Sequence, residues 1–297
     1  MVKIPRDARI LSISHYDLDG MGCQIVLANV FTNISFINTS FYNLDEKLES
    51  LDYSKYDYVI VTDVHPENKN TIYLSDKIIL IDHHPSDMHD PKNNHYVIHD
   101  KGKCATVLTK HFVEKLYNVK LSELNEFVNL VNDYDMWILK DTRSKQLNDL
   151  MFHYYKSSFR DKFIDGRTTF TEDEIEWLKE YDKKFHKIYD EIDVYDFEKI
   201  NACIVNPEGG HFTNEISHRL MEEEKYDLVV VRNPNTERAS VRTQLDSLDI
   251  GEVLDGFGWG GGHKQTAGMF CESFDDFQQK IVKLEEKLFN DYPKIRK

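Results

Sequence analysis

The sequence of 297 residues predicts an α/β protein: an N-terminal domain built on a parallel sheet with flanking helices, then a smaller C-terminal α/β domain. Two observations carry this prediction. In the first third, short β-rich runs alternate with helical patterning, and each run ends in a polar cluster containing Asp. Such strand, polar tip and helix units build parallel sheets with helices on their faces. A second set of strand and helix signals begins near Tyr195, after a long charged helical stretch.

Residues 8–14 (ARILSIS) form a buried strand that leads directly into helical patterning at 20–31. Residues 56–62 (YDYVIVT) and 77–81 (KIILI) repeat the β-rich pattern. Amphipathic periodicity predicts helices over 104–117 and 121–137. From 140 to 192 the pattern is helical and strongly charged, and Thr171 with Glu174 forms a capping box for a helix that runs to about Ile192. Beyond it, strands are expected at 200–205 (INACIV), 227–232 (DLVVVR) and 239–243 (ASVRT), with helices at 211–223 and 274–289. The domains are therefore placed at 1–192 and 193–297.

Acidic residues outnumber basic ones, 52 to 37, for a formal charge of −15. That excludes a broad basic coat for long duplex nucleic acid, which needs Lys and Arg in excess along one face. It leaves room for a small phosphate-bearing substrate, because bound metal ions supply local positive charge. The four cysteines (Cys23, Cys104, Cys203, Cys271) are widely spaced, with no C-x-x-C pair, and read as reduced thiols. No apolar run is long enough for a signal peptide or a spanning helix, so a cytoplasmic protein without a membrane partner is expected.

Three strand tips carry the chemistry. The first is His15-Tyr16-Asp17-Leu18-Asp19-Gly20, in which alternation brings His15, Asp17 and Asp19 to one side. The second is Thr62-Asp63 and the third Asp82-His83-His84. A lone Asp at a strand end is ordinarily a helix N-cap. Three acidic tips on one edge of a parallel sheet are more than capping needs, and like charges so close resist joint ionisation. Divalent metal ions would offset them. The mixed imidazole and carboxylate donors suit Mn, Fe, Co or Zn, and their number argues for two ions. A fourth element, Asn132-Asp133-Tyr134-Asp135-Met136-Trp137, closes an apolar helix with two acids, either of which could join the cluster.

These residues resemble the DHH phosphoesterase family, named for the Asp-His-His at Asp82–His84. Its motifs occur in family order: His15 to Gly20, Asp63, Asp82-His83-His84 and Asp135. A glycine-rich motif, Gly260-Gly261-Gly262-His263-Lys264-Gln265-Thr266-Ala267-Gly268, resembles that of the DHH-associated C-terminal domain. The His-x-Asp-x-Asp-Gly form is similar to the nano-RNase (oligoribonuclease) branch rather than to RecJ-like exonucleases. Stretch 140–195 contributes nothing to the match, and His65 after Asp63 is a loop histidine to which the resemblance gives no role.

The resemblance implies one metal at His15, Asp17 and Asp63, and a second at Asp19, Asp63, His83 and Asp135, with Asp63 shared. Asp135 is preferred to Asp133 because the Tyr-Asp-x-Trp pattern is similar to that branch. Asp82 would orient its neighbours, and His84 would meet the scissile phosphate and protonate the leaving oxygen. In the second domain, Arg242, Gly261, Gly262 and His263 are the expected substrate grip, with a helix starting just after the glycines. Cleavage is then expected in a cleft between the domains. The resulting expectation is a Mn²⁺-dependent phosphodiesterase that degrades short single-stranded RNA to mononucleotides by two-metal in-line attack. Cyclic or linear dinucleotides, 3′,5′-bisphosphorylated adenosine and single-stranded DNA are the alternative substrates. A nucleotide-binding regulator with a lapsed site is the alternative from outside enzymology.

Overall fold

A computed structural model of the chain describes residues 3–84, 96–207, 212–233, 235–262 and 264–297. It divides into two compact units, 1–179 and 180–297.

The first unit is built on β1 (Ile10–Ser14), β2 (Ile34–Asn38), β3 (Tyr58–Thr62), β4 (Ile78–Asp82) and β5 (Tyr96–His99). Their order is β2-β1-β3-β4-β5, and every described pair is parallel. The chain leaves β1 for β2 on one side and returns as β3 on the other. In open sheets of this kind ligands bind beyond the carboxyl ends of the strands at this switch of direction. Helices cover both faces. Ile10, Ile60, Ile79 and Ile81 share a core with α1 (Leu18–Ala28), α3 (Ala105–Tyr117) and α4 (Asn125–Asp135). The alternate residues Leu11, Ile13, Val59, Val61, Ile78 and Leu80 pack with Leu44 and Leu48 of α2 (Phe41–Glu49). Burial on both faces is why β1, β3 and β4 read as near-continuous apolar runs. The edge strand β2 (ISFIN) has no such run, because it is only partly covered, and its pattern does not announce a strand.

Helices α5 (Thr142–His153), α6 (Lys156–Lys162) and α7 (Glu172–Glu191) follow. The capping box is present in both directions: Thr171 N donates to Glu174 Oε2 (2.7 Å) and Glu174 N to Thr171 Oγ1 (3.3 Å). The domain boundary expected at 192/193 marks the end of α7, whereas the division between units falls inside it. Trp177 and Leu178 belong to the first core, and Tyr181, Phe185 and Ile188 to the second.

The second unit orders its strands β10-β11-β9-β8-β7-β6, from β6 (Val194–Asp196), β7 (Ala202–Val205), β8 (Leu228–Asn233), β9 (Arg238–Thr243), β10 (Gly260–Gly262) and β11 (Thr266–Phe270). Among the described strands of this sheet, β7 and β8 pair in parallel and the other pairs are antiparallel. One face is covered by α9 (Ile250–Gly256) and α10 (Phe274–Asp291), the other by α8 (Thr213–Glu223) and the second half of α7. Phe277, Ile281, Leu284 and Leu288 recur at helical spacing and form the buried stripe of α10. Each contributes about 1.5–3 kcal/mol by leaving water.

One expectation is corrected here. Among the described residues no helix opens after the glycine run: Gly260–Gly262 is itself a strand, and the next element is its antiparallel partner β11. Gly260 and Gly262 have φ of 152° and 155°, and a Cβ on them would meet Gly268 O at 2.1 Å and Thr266 O at 2.5 Å. These two glycines serve the close approach of the strands.

Candidate metal centre

The tips of β1, β3 and β4 are brought level by their registers, with Ser14 opposite Thr62 and Thr62 opposite Ile81. Ser14 Oγ and Thr62 Oγ1 lie 2.6 Å apart, and Asp63 N donates to Ile81 O (3.0 Å). The residues that follow, His15, Asp63 and Asp82 to His84, therefore stand side by side.

Local structure aims the first motif. Asp17 caps α1 by accepting from Gly20 N (3.1 Å). Gly20 must lack a side chain, since a Cβ there would lie 2.2 Å from His15 O. Asp19, in the first turn of α1, is buried, and its two oxygens accept from Ala105 N (2.6 Å) and Thr106 N (2.8 Å). It satisfies the start of α3, whose own N-cap Cys104 makes no side-chain capping bond.

Four overlapping donor groups result among the described residues, including Asp63, His83 and His84, and His65, Asp82 and His84; the other two match the expected ligand sets. His15, Asp17 and Asp63 form one, with His15 Nδ1 2.5 Å from Asp17 Oδ2 and 4.0 Å from Asp63 Oδ2. Asp19, His83 and Asp135 form the other, with His83 Nε2 3.7 Å from Asp19 Oδ2 and 3.5 Å from Asp135 Oδ2. Asp63 Oδ1 lies 3.4 Å from the same His83 nitrogen.

The groups fit divalent cations. Among the described residues, Asp63 Oδ2 and Asp135 Oδ2 are buried without a hydrogen-bond partner. Burial, and then the charges of Asp17, Asp19 and Asp135, push the Asp63 carboxyl well above its ordinary range. Burial, followed by Asp19 and Asp17, does the same to Asp135. Burial also lowers His83. Carboxylates that resist ionisation together, beside an imidazole kept neutral, are complementary to cations.

Asp133 and Asp135, both in the last turn of α4, have different partners. Asp133 Oδ1 and Oδ2 accept from Lys140 N and Asp141 N (3.1 Å each), and its carbonyl accepts from Ile138 N and Leu139 N. These bonds secure a turn in which Trp137 (φ 54°) and Leu139 (φ 51°) are left-handed. Asp135 is the acid that reaches the cluster.

Asp82 is buried and accepts from both sides. His84 Nδ1 lies 2.7 Å from Oδ1, and His65 Nδ1 lies 2.8 Å from Oδ2. Burial opposes the charge on Asp82, but the hydrogen bonds from His65 and His84 outweigh it and hold the carboxyl well below its ordinary range. His84 moves up: burial opposes its charge, and the bond to Asp82 and the charge of Asp82 overcome it. Sequence reasoning missed His65. Its partner is 17 positions away, and the contact arises only from the pairing of β3 with β4, so no local signal announces it.

In the second unit, Arg242 lies on β9 opposite Thr266 and donates from Nη2 to Asn214 Oδ1 (2.7 Å). Gly261 is opposite Gly268; among the described residues beyond their chain neighbours, a Cβ on Gly261 would come no closer than 3.9 Å to another atom, and one on Gly268 would meet nothing within 4 Å. This pair leaves bare backbone that packing does not require. Gly262 serves the strand approach, and His263 lies outside the described residues. The four cysteines are buried and unpaired, and no described helix is long and apolar enough to cross a membrane.

Residues 9–146 match the N-terminal domain of the DHH family. The chain is 28% identical over 308 aligned positions to the oligoribonuclease NrnB of Bacillus subtilis, covering 91% of this chain and 74% of that protein. It is 25% identical to a 3′,5′-cyclic-nucleotide phosphodiesterase of Helicobacter pylori, covering 53% of this chain and 56% of that one. Among solved structures, RecJ of Thermus thermophilus in complex with Mn²⁺ shares the fold at a TM-score of 0.58 and 16% identity, over 95% of this chain and 52% of RecJ. Residues 9–146, with the Asp-His-His at the tip of β4, thus form a domain that matches the DHH family.

Proposed function

We propose that this phosphodiester hydrolase degrades short RNA oligonucleotides to mononucleotides with two divalent ions. His15, Asp17 and Asp63 would hold one, and Asp19, Asp63, His83 and Asp135 the other. The observation that carries the reading is Asp63, whose Oδ2 faces His15 and whose Oδ1 faces His83. One carboxylate is thus presented to both expected ligand sets. The mixed donors favour Mn²⁺ over Mg²⁺. When bound, such ions neutralise phosphoryl oxygens and lower the pKa of water.

The remaining steps fall to side chains. An ionised Asp82 can only accept, so His84 presents Nδ1–H to it and turns Nε2 to the other side of the ring. Asp82 favours the protonated form of His84, the form that an acid protonating a leaving oxygen needs. Arg242 is suited to grip a non-scissile phosphate, and the bare pair Gly261 and Gly268 allows a ligand to approach backbone closely. A few contacts of this kind suit a substrate a few nucleotides long, and the acidic charge elsewhere disfavours long polyanions.

Likeness to the oligoribonuclease over most of the chain supports RNA fragments, and likeness to the cyclic-nucleotide phosphodiesterase supports a second reading, cyclic or linear dinucleotides. One hydrolysis panel with Mn²⁺ against Mg²⁺ decides between them. It contains RNA two-mers to five-mers, long RNA, single-stranded DNA, cyclic dinucleotides and pyrophosphate. Fastest turnover of RNA two-mers to five-mers with Mn²⁺ is expected. Turnover confined to two-mers or cyclic dinucleotides, with three-mers to five-mers left intact, selects the second reading, and preference for pyrophosphate, or no phosphodiester turnover, overturns both.

A further inference from the structure

His65 stands outside both expected ligand sets, yet it completes the surroundings of Asp82. It follows the left-handed turn at Asp63 (φ 57°), which ends β3 and swings the chain across the tip of β4. Its ring packs edge-on against Phe41 at 5.1 Å between centroids and is mostly buried. Nδ1 then meets Asp82 Oδ2 at 2.8 Å. The other carboxylate oxygen is the one that meets His84. The His84 segment is held from a third direction, where His99 Nε2 lies 2.5 Å from the His84 carbonyl oxygen.

A carboxylate with one oxygen bound can still rotate, and a buried oxygen left without a donor is destabilising. A second donor on the opposite oxygen removes both problems and locks the carboxylate plane. His65, Asp82 and His84 could in principle close on a single cation. The direct contacts argue otherwise, since each imidazole Nδ1 lies at hydrogen-bond distance, 2.8 and 2.7 Å, from its own oxygen of Asp82.

We propose that His65 is a positioning residue: by holding Asp82 Oδ2 it fixes the carboxylate that orients His84 toward the scissile phosphate. The inference rests on the role given to His84 above.

The test uses the full-length chain and three variants. His65→Phe keeps the ring against Phe41 but loses the donor, His65→Ala loses both, and His65→Asn restores a donor near the Nδ1 position. With Mn²⁺ and the linear dinucleotide pApA, the Phe and Ala variants should lose about 10–100-fold in kcat. Their KM, and their Mn²⁺ affinity by calorimetry, should stay within about threefold, and Asn should recover most of kcat. A Phe variant as active as wild type would reduce His65 to packing. Failure of Asn to recover kcat, or a loss that tracks Mn²⁺ affinity and is reversed by excess Mn²⁺, would also overturn the proposal. Should wild type hydrolyse no phosphodiester, ¹⁵N NMR of the His84 ring in the metal-free protein still decides. A single Nδ1–H tautomer in wild type and Asn, becoming mixed in Phe, supports positioning, and a His84 spectrum unchanged in Phe refutes it.

Discussion

Asp63 leaves β3 in a left-handed conformation and sets its Oδ1 3.4 Å from Nε2 of His83, at the tip of the neighbouring strand. Asn tolerates this backbone better than most residues, so Asp63→Asn should keep the fold while removing the shared charge. Turnover with Mn²⁺ should fall on the order of 10³-fold or more, the equivalent of several kcal/mol of lost charge stabilisation. Circular dichroism should be unchanged. A variant within tenfold of wild type would remove Asp63 from the centre of the site.

Cation binding should be visible as stability. Free Mn²⁺ at 100 times Kd should stabilise the folded chain by about 2.7 kcal/mol for each ion bound, and a chelator should reverse this. Asp135→Asn removes a buried carboxyl pressed against other acids. Its metal-free form should therefore melt no lower than metal-free wild type, while its Mn²⁺-induced rise in Tm shrinks. Differential scanning fluorimetry with and without Mn²⁺ reads both effects, and an equal rise in variant and wild type would refute the ligand role.

The two acids of the α4 terminus should fail differently. Asp133→Ala strips the acceptors from two backbone N–H groups and should destabilise by roughly 1–3 kcal/mol. Asp135→Ala should leave denaturant midpoints near wild type and lose activity instead. The opposite pattern would exchange their roles.

Glu174 supplies a pH-dependent part of stability. Burial would raise its carboxyl, but the hydrogen bonds from Arg167, Thr171 N and Tyr154 overcome this and hold it at about 2, against an ordinary 4.5. The folded state therefore binds this proton less readily than the unfolded chain. Its contribution, at most about 3 kcal/mol, is complete above pH 4.5 and lost as pH falls toward 2. Glu174→Gln should cost stability at pH 7, and its gap from wild type should narrow on acidification between pH 5 and pH 2.5. A gap that does not change with pH would show that the charge is irrelevant.

If Arg242 grips a phosphate away from the reacting bond, Arg242→Ala should raise KM about 10-fold or more and change kcat little, since it removes binding common to ground and transition states. Steady-state kinetics on pApA separates this from a loss confined to kcat, which would place Arg242 elsewhere in the reaction.

Much of this protein is determined by local sequence. The apolar runs at β1, β3 and β4, the acids and imidazoles at their tips, and the Thr171 to Glu174 box each express short-range rules of alternation and capping, and the structure shows them in place. Tertiary structure decided what depends on neighbours distant in sequence. The edge strand β2 is a strand because β1 pairs with it. Gly260–Gly262 forms a strand rather than a helix start because β11 returns beside it. Asp19 serves α3 as well as the cluster because α1 and α3 pack together. Asp133 turns inward to backbone while Asp135 faces His83. His65 meets Asp82 only once parallel pairing has closed the distance between them. Periodicity encodes which face of an element is buried, but the partner across a packed edge is chosen by the assembled sheet.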